Sequence, residues 1–137
     1  SGCDLVSYLT PRLFTHLGIK RPTWETDPLG NSFGAGGLFL TLSELHKFGL
    51  FYLNKGKWNG KQILSEKWIE ESTRAADTDD YGYLFWRGEQ NSYRADGKYS
   101  QITMVLPEKN AVVSLVAECR KGDELMRALY DLVCAKL

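Results

Sequence analysis

The hydrophobic and polar positions change period midway along the chain. From Tyr81 to Ala117 they fall into short extended stretches separated by polar turns, which predicts three or four consecutive antiparallel strands. Tyr83-Leu84-Phe85-Trp86 is an aromatic-rich run that favours an extended, half-buried backbone. A polar turn at Gly88–Ser92 leads into a short strand over Ser92–Ala95. Gln101–Leu106 alternates, with Ile102, Met104 and Leu106 on one face and Gln101 and Thr103 on the other. Pro107-Glu108-Lys109-Asn110 is a turn, because proline presets the backbone and asparagine tolerates the tight end. Ala111–Ala117 is almost continuously apolar and predicts a central strand buried on both faces.

The first half follows the helical period instead. Leu5, Tyr8, Leu9, Leu13, Phe14 and Leu17 form one stripe between Asp4 and Leu17, which Pro11 kinks or divides into two short helices. Gly18 is placed for a left-handed cap, and His16 suits the last turn of a helix. Ile19–Gly37, rich in glycine and proline, reads as an ordered loop anchored by Trp24. Thr41-Leu42-Ser43-Glu44 is a capping box for a helix with Leu42, Leu45, Phe48, Gly49 and Tyr52 or Leu53 on one face, stopping near Asn54-Lys55-Gly56. His46 falls beside that face, partly exposed. Asn59-Gly60 marks the tip of a small hairpin. Ser65 caps a helix to about Ser72 with Trp68 and Ile69 inward, and Arg74–Asp80 is a polar linker. A last helix runs from Asp123 to about Lys136 with a stripe of Leu125, Met126, Leu129, Leu132 and Val133. Helices over about 1–76, then an antiparallel sheet and a returning helix over about 81–137, make an α+β domain with the sheet flanked by helices.

Composition narrows the function. The 137 residues suffice for a single domain with a core. Lys+Arg and Asp+Glu are 17 each with no basic run, which argues against a nucleic-acid partner. No apolar stretch reaches the ~20 residues of a membrane span, and residues 1–30 carry no signal-peptide pattern. The chain lacks an initiator Met, so a processed or truncated piece of a longer protein is expected. Cys3, Cys119 and Cys134 are widely spaced, and His16 and His46 have no clustered partners, so no metal site and no cofactor is expected and the cysteines read as reduced structural residues.

Candidate chemistry is sparse. Gly30-Asn31-Ser32-Phe33-Gly34 matches the G-x-S-x-G spacing of a nucleophile elbow, but Asp27-Pro28-Leu29 precedes it where a buried strand is required. Gly34-Ala35-Gly36-Gly37 lacks the spacing of a phosphate loop and reads as close packing or a turn. Asp77, Asp79 and Asp80 cluster in a loop without the ligand order of a calcium site. No serine is followed three residues later by lysine, so the chain carries neither a nucleophile nor its base.

Three segments together resemble one family. Gly36-Gly37-Leu38 through Thr41, Leu45, Lys47, Phe48 and Gly49 resembles the G-G-L-x-x-T-x-x-D-L-x-K-F-G segment of class C β-lactamase-related serine hydrolases, which include penicillin-binding-protein-like enzymes. Asn54 to Ser65 is similar to the N-x-G-x-x-x-G-x-x-[IVL]-L-[SP] stretch that follows it there. Tyr81-Gly82-Tyr83, Gln101 and Val105-Leu106-Pro107-Glu108-Lys109 resemble the Y-G-Y-G-W, G-G-Q and V-x-P-E-K elements of the last strands. The resemblance implies a partial β-lactamase/transpeptidase-like fold, the C-terminal portion of a bacterial serine hydrolase. Its S-x-x-K nucleophile and tyrosine motif would lie upstream, leaving this portion inactive alone.

The third family element, K-T-G or H-x-G on an inner strand, would fall in Arg94-Ala95-Asp96-Gly97-Lys98. Asp96 stands where a basic or hydroxyl residue is common, and Tyr99-Ser100 replace Gly-Gly, so an ester, peptide or amide substrate is as well accommodated as a β-lactam. The expected roles are an oxyanion-binding amide at Lys98, close approach at Gly97, and a side chain to substrate from Asp96 or Lys98. A non-catalytic module for peptidoglycan-like ligands on the same fold is the alternative. The family's N-terminal strands would pair beside the last strands; without them the sheet edge is open and predicts a homodimer. The compartment is not legible.

Overall fold

A computed structural model of the chain describes residues 2–76 and 80–137. Its centre is a four-stranded antiparallel sheet of β5 (Trp86–Arg87), β6 (Tyr93–Asp96), β7 (Gln101–Leu106) and β8 (Ala111–Val116), in that spatial order. Before it come α1 (Leu5–Leu9), a π-helical turn (Thr10–Phe14), α2 (Thr15–Leu17), β1 (Thr23–Trp24), β2 (Leu38–Phe39), α3 (Leu42–Leu53), β3 (Lys57–Trp58), β4 (Lys61–Gln62) and α4 (Glu66–Thr73). After it come α5 (Gly122–Leu132) and a short 3₁₀ turn (Cys134–Lys136). The fold is α+β.

Pro11 explains the first helix. It has no N–H, and its ring would meet the Ser7 carbonyl in a regular α-helix; the wider π turn makes room. Side chains satisfy carbonyls along this stretch, Thr10 Oγ1 donating to the Val6 oxygen at 2.6 Å and an Arg12 guanidinium nitrogen to the Tyr8 oxygen at 2.9 Å. Gly18 closes α2 at φ 65°, the left-handed region where glycine costs nothing. The loop that follows is more regular than its composition suggests, because β1 and β2 pair through Thr23↔Phe39 and Trp24↔Leu38. The Trp24 indole N–H is shared between the carbonyls of Phe33 at 2.9 Å and Gly36 at 2.8 Å, making it the loop's anchor.

The capping box of α3 is present: the Thr41 hydroxyl accepts from the Glu44 amide at 3.3 Å, and the Glu44 carboxylate accepts from the Thr41 amide at 2.9 Å. The Thr41 amide, and then the Thr41 hydroxyl donating at 2.8 Å, hold the Glu44 carboxyl below its ordinary range. The buried side of α3 differs from the stripe read in the sequence. Phe51 is fully buried, while Leu42 is exposed. Phe51 enters a core with Phe14, Leu17, Ile19, Tyr52, Ile69, Phe85, Tyr93 and Val105. Burying a side chain of that size stabilises the fold by roughly 3 kcal/mol. Asn59 and Gly60, at φ 46° and 80°, form the tight turn of the β3–β4 hairpin. Ser65 Oγ accepts from the Trp68 amide at 3.1 Å to cap α4. Trp68 itself turns outward, 44% exposed against the Tyr83 ring, whereas Ile69 is buried.

The sheet corrects three expectations. Tyr83–Trp86 is not a continuous strand. Leu84 takes φ 67° in a tight turn in which the Gly82 amide donates to the Phe85 carbonyl at 2.7 Å, so only Trp86–Arg87 pairs with β6. The aromatic content describes a burial surface, filled here by Phe85 alone, rather than a backbone preference. Next, Ala111–Ala117 is not a central strand: β8 is the sheet's edge and half-buried through most of its length. The doubly buried strand is β7, where Ile102, Met104 and Leu106 pack with Leu129 and Cys134 while Val105 joins the core under α3. Finally, α5 ends at Leu132, and Leu132 and Val133 point to the surface while Met126, Leu129 and Tyr130 cover the sheet.

Buried hydroxyls on this sheet are tied up. Ser92 Oγ lies 2.9 Å from the Tyr130 hydroxyl, linking the start of β6 to α5. Thr103 Oγ1 lies 2.8 Å from Ser114 Oγ, which lies 3.1 Å from His46 Nδ1 on α3. Gly49 makes this packing feasible. A Cβ there would sit 2.5 Å from Thr103 Oγ1 and 2.6 Å from Val112 Cγ1. Of the cysteines, Cys134 is buried 3.9 Å from the Met104 sulfur, Cys119 is half-buried, and Cys3 is at the surface, not in the core. Burial raises the Cys134 thiol pKa above its ordinary value. No helix among the described residues is long and apolar enough to cross a membrane.

Candidate functional site

β5 pairs with β6 at only two positions, Trp86↔Arg94 and Arg87↔Tyr93. Beyond Arg94, β6 continues along β7 through Ala95↔Thr103 and Asp96↔Ile102, and no strand among the described residues pairs on its other side. That open flank presents backbone groups beside the segment singled out by motif. The Gly97 amide donates to the Gln101 carbonyl at 3.0 Å, toward β7. Amides alternate sides along a strand, so the Asp96 amide is directed the other way, onto the open flank. The turn closes with the Ser100 amide donating to the Gly97 carbonyl at 3.0 Å and the Tyr99 amide to Gln101 Oε1 at 3.4 Å. Both bonds leave the Lys98 amide outside the turn's own hydrogen bonding.

The side chains of the three predicted residues are disposed differently from one another. Asp96 Oδ2 lies 3.0 Å from Arg94 Nε, and Arg94 in turn extends its guanidinium to 5.9 Å from the Trp86 ring centre. Asp96 is paired opposite Ile102 and Arg94 opposite Met104, so both share the sheet face that α5 covers. The Lys98 ammonium is exposed at the hairpin tip, 5.4 Å from the Tyr99 ring, whose other neighbour is the Arg120 guanidinium at 5.9 Å. Gly97 permits a close approach, and the approaching group is Gln101: a Cβ at position 97 would lie 2.6 Å from Gln101 Oε1.

Two residues of this hairpin exceed what the sequence pattern indicated. Gln101 fastens the turn on both sides, since its amide nitrogen donates to the Ala117 carbonyl at 2.9 Å while its oxygen takes the Tyr99 amide. Ser100 is buried at φ 70°, a conformation natural to glycine, and its hydroxyl donates to the Cys119 carbonyl at 3.4 Å. The signal was present, because Ser100 occupies a position where the resembled motif has glycine.

The other singled-out residues lie apart from this flank. Ser32 sits in a β-bridge with Thr26, and its hydroxyl accepts from the Leu5 amide at 3.2 Å, a setting without the helix a nucleophile elbow needs. Asp27 shapes the same loop by accepting from the amides of Leu29 and Asn31 and from the Asn31 side chain, each at 2.9 Å, and the Asn31 contacts lower its carboxyl pKa. A cleft of about 610 Å³ opens beside this loop, lined by Cys3, Asp4, Asn31 and Ser32. Asp77 and Asp79 lie outside the described residues. Among those described, no three His, Cys, Asp or Glu side chains come together to hold a metal ion.

No protein-family model and no curated protein matches the sequence. A solved structure from Bacillus anthracis, titled as a 6-aminohexanoate-dimer hydrolase, superimposes with a TM-score of 0.83 over 99% of this chain at 21% identity. The chain spans 38% of that structure's length. At that identity the likeness concerns architecture: this chain has the α+β fold of a segment of that structure.

Proposed function

We propose that the chain is the C-terminal portion of a β-lactamase-like serine hydrolase and supplies one wall of its acyl-transfer site. The open flank of β6, ending at Asp96-Gly97-Lys98, carries this reading. Acyl transfer begins when a serine oxygen adds to a carbonyl carbon and negative charge moves onto the carbonyl oxygen. Fixed N–H donors lower the energy of that oxyanion, each worth roughly 3–4 kcal/mol by typical loss on removal. The Lys98 amide, in the turn that follows β6, is the assigned donor, with the Asp96 amide at the strand's end as a second, and the Lys98 ammonium adds positive potential. The upstream base takes the serine proton as the oxygen adds and returns it to the alcohol or amine expelled when the tetrahedral intermediate collapses, and water then releases the acyl group. The serine, its lysine and the tyrosine belong to residues upstream of Ser1. A small ester, a peptide amide or a β-lactam fits this chemistry.

The test compares this chain with a form extended upstream through an S-x-x-K motif, using a chromogenic ester, a chromogenic cephalosporin and a linear amide. The 137-residue chain is expected to be inert and the extended form active. Gly97→Val in the extended form should lower kcat about 100-fold by driving Gln101 out of the turn. Turnover by the 137-residue chain would overturn the assignment of the nucleophile. Binding of peptidoglycan fragments by an extended form that turns nothing over would replace the enzyme with a non-catalytic ligand-binding module.

A further inference from the structure

We infer that Gln101 is a positioning residue for the acyl-transfer site, fixing the peptide of Lys98 by binding the amides on either side of it. The same side chain ties that turn to the segment following β8. The inference rests on the reading of the Lys98 amide as an oxyanion donor, and Gln101 acts through that amide rather than on substrate.

The hydrogen bonds of the turn single out this residue. The Gly97 amide donates to the Gln101 backbone carbonyl at 3.0 Å, and the Tyr99 amide donates to Gln101 Oε1 at 3.4 Å. One residue therefore takes the N–H groups immediately before and after Lys98. The Ser100 amide is used as well, by the Gly97 carbonyl at 3.0 Å. The Lys98 amide is the one these bonds leave over. Gly97 is the counterpart of this arrangement, since any Cβ there would occupy the place of the Gln101 amide group.

The far end of the side chain gives the turn a fixed support. The β7–β8 ladder ends at Gln101↔Val116. Beyond it Ser100 takes φ 70°, which carries its backbone out of the extended conformation. Side chains then continue the pairing. Gln101 Nε2 donates to the Ala117 carbonyl at 2.9 Å, the Cys119 amide to the Tyr99 carbonyl at 3.1 Å, and the Ser100 hydroxyl to the Cys119 carbonyl at 3.4 Å. A left-handed serine persists only where its surroundings hold it, and the tie to residues 117–119 is that hold. Gln101 is half-buried, so water competes less for its bonds. A primary amide serves both ends at once, as acceptor for the Tyr99 N–H and donor to the Ala117 carbonyl. Glutamate offers acceptors alone, and methionine, of similar length, offers no donor. Donors aimed at an oxyanion work only if they are fixed before the reaction, and a shift of about 1 Å can cost about 100-fold.

The test uses the upstream-extended form and two readouts. In Gln101→Met, amide hydrogen exchange at Ser100 and Cys119 should quicken about tenfold, although neither amide bonds the Gln101 side chain. Turnover of the chromogenic ester should fall about 30-fold in kcat with KM unchanged, measured below the unfolding transition. A side chain that only supports the fold would lower the melting temperature and leave kcat of the folded enzyme intact. Gln101→Glu keeps the acceptor and loses the donor, so it should free the Cys119 amide and leave the Ser100 amide protected. Wild-type exchange in both variants overturns the tie, whatever the chemistry. Faster exchange with undiminished kcat overturns the positioning role and leaves the Lys98 donor standing. An extended form that turns over none of the substrates overturns the hydrolase reading and the catalytic half of this inference with it, and the exchange rates then decide the tie alone.

Discussion

β7 and β8 are neighbours of six residues each, joined by a four-residue turn and similar in apolar content, yet they hold different positions in the molecule. β7 contains the polar Gln101 and Thr103 and is buried on both faces; β8 contains one serine and lies half-exposed at the edge. The reversal teaches that sheet position, and not apolarity, sets burial. Thr103 can enter the interior because Ser114 meets its hydroxyl, so burial costs little. β8 keeps its apolar residues at an edge where nothing on the described chain uses its outer hydrogen-bonding groups.

That difference can be broken most sharply by truncating one side chain in each strand. Met104→Ala on β7 should cost about 3 kcal/mol, because the site is closed on all sides and cannot collapse. Val113→Ala on β8 should cost about 1 kcal/mol. Urea unfolding of the two variants measures both, and equal losses would mean that β8 is as enclosed as β7. Gly49→Ala probes the seam between the strands, since the new methyl would press on Thr103 and Val112 together. A loss of about 2 kcal/mol is expected despite the better helix propensity of alanine, measured by the same unfolding. Ser100→Gly, at the entry to β7, should change stability least. Relief of the left-handed serine outweighs the weak bond to Cys119, and a gain of about 0.5 kcal/mol in thermal unfolding is expected.

The elements legible in the sequence were those governed by local rules. The Thr41–Glu44 capping box, the Asn59-Gly60 hairpin tip, the Gly18 cap and the Pro107–Asn110 turn each depend on a few adjacent residues. The failures came where distant partners decide. Leu84 leaves the strand conformation in a tight turn closed between Gly82 and Phe85, with the Tyr83 amide held by the Ser72 carbonyl on α4 at 2.8 Å, and nothing in Tyr83–Trp86 announces that contact. Trp68 turns outward beside Tyr83, fifteen positions later. At the candidate site, Asp96, Gly97 and Lys98 could be located by motif, but the pairing of Asp96 with Arg94 and the strap formed by Gln101 depend on register across β6, β7 and the segment after β8.

The π turn at Pro11 has a consequence for the first helix as a whole. Apolar residues spaced by four drift about 40° per step around an ordinary α-helix, so a series such as Leu9, Leu13 and Leu17 would spiral away from a flat core. One widened turn between them resets the phase. Leu9, Leu13 and Leu17 then all face the core shared with Phe14, Phe51 and Ile69. What looks like a defect imposed by proline is the adjustment that keeps three turns of helix aimed at one target.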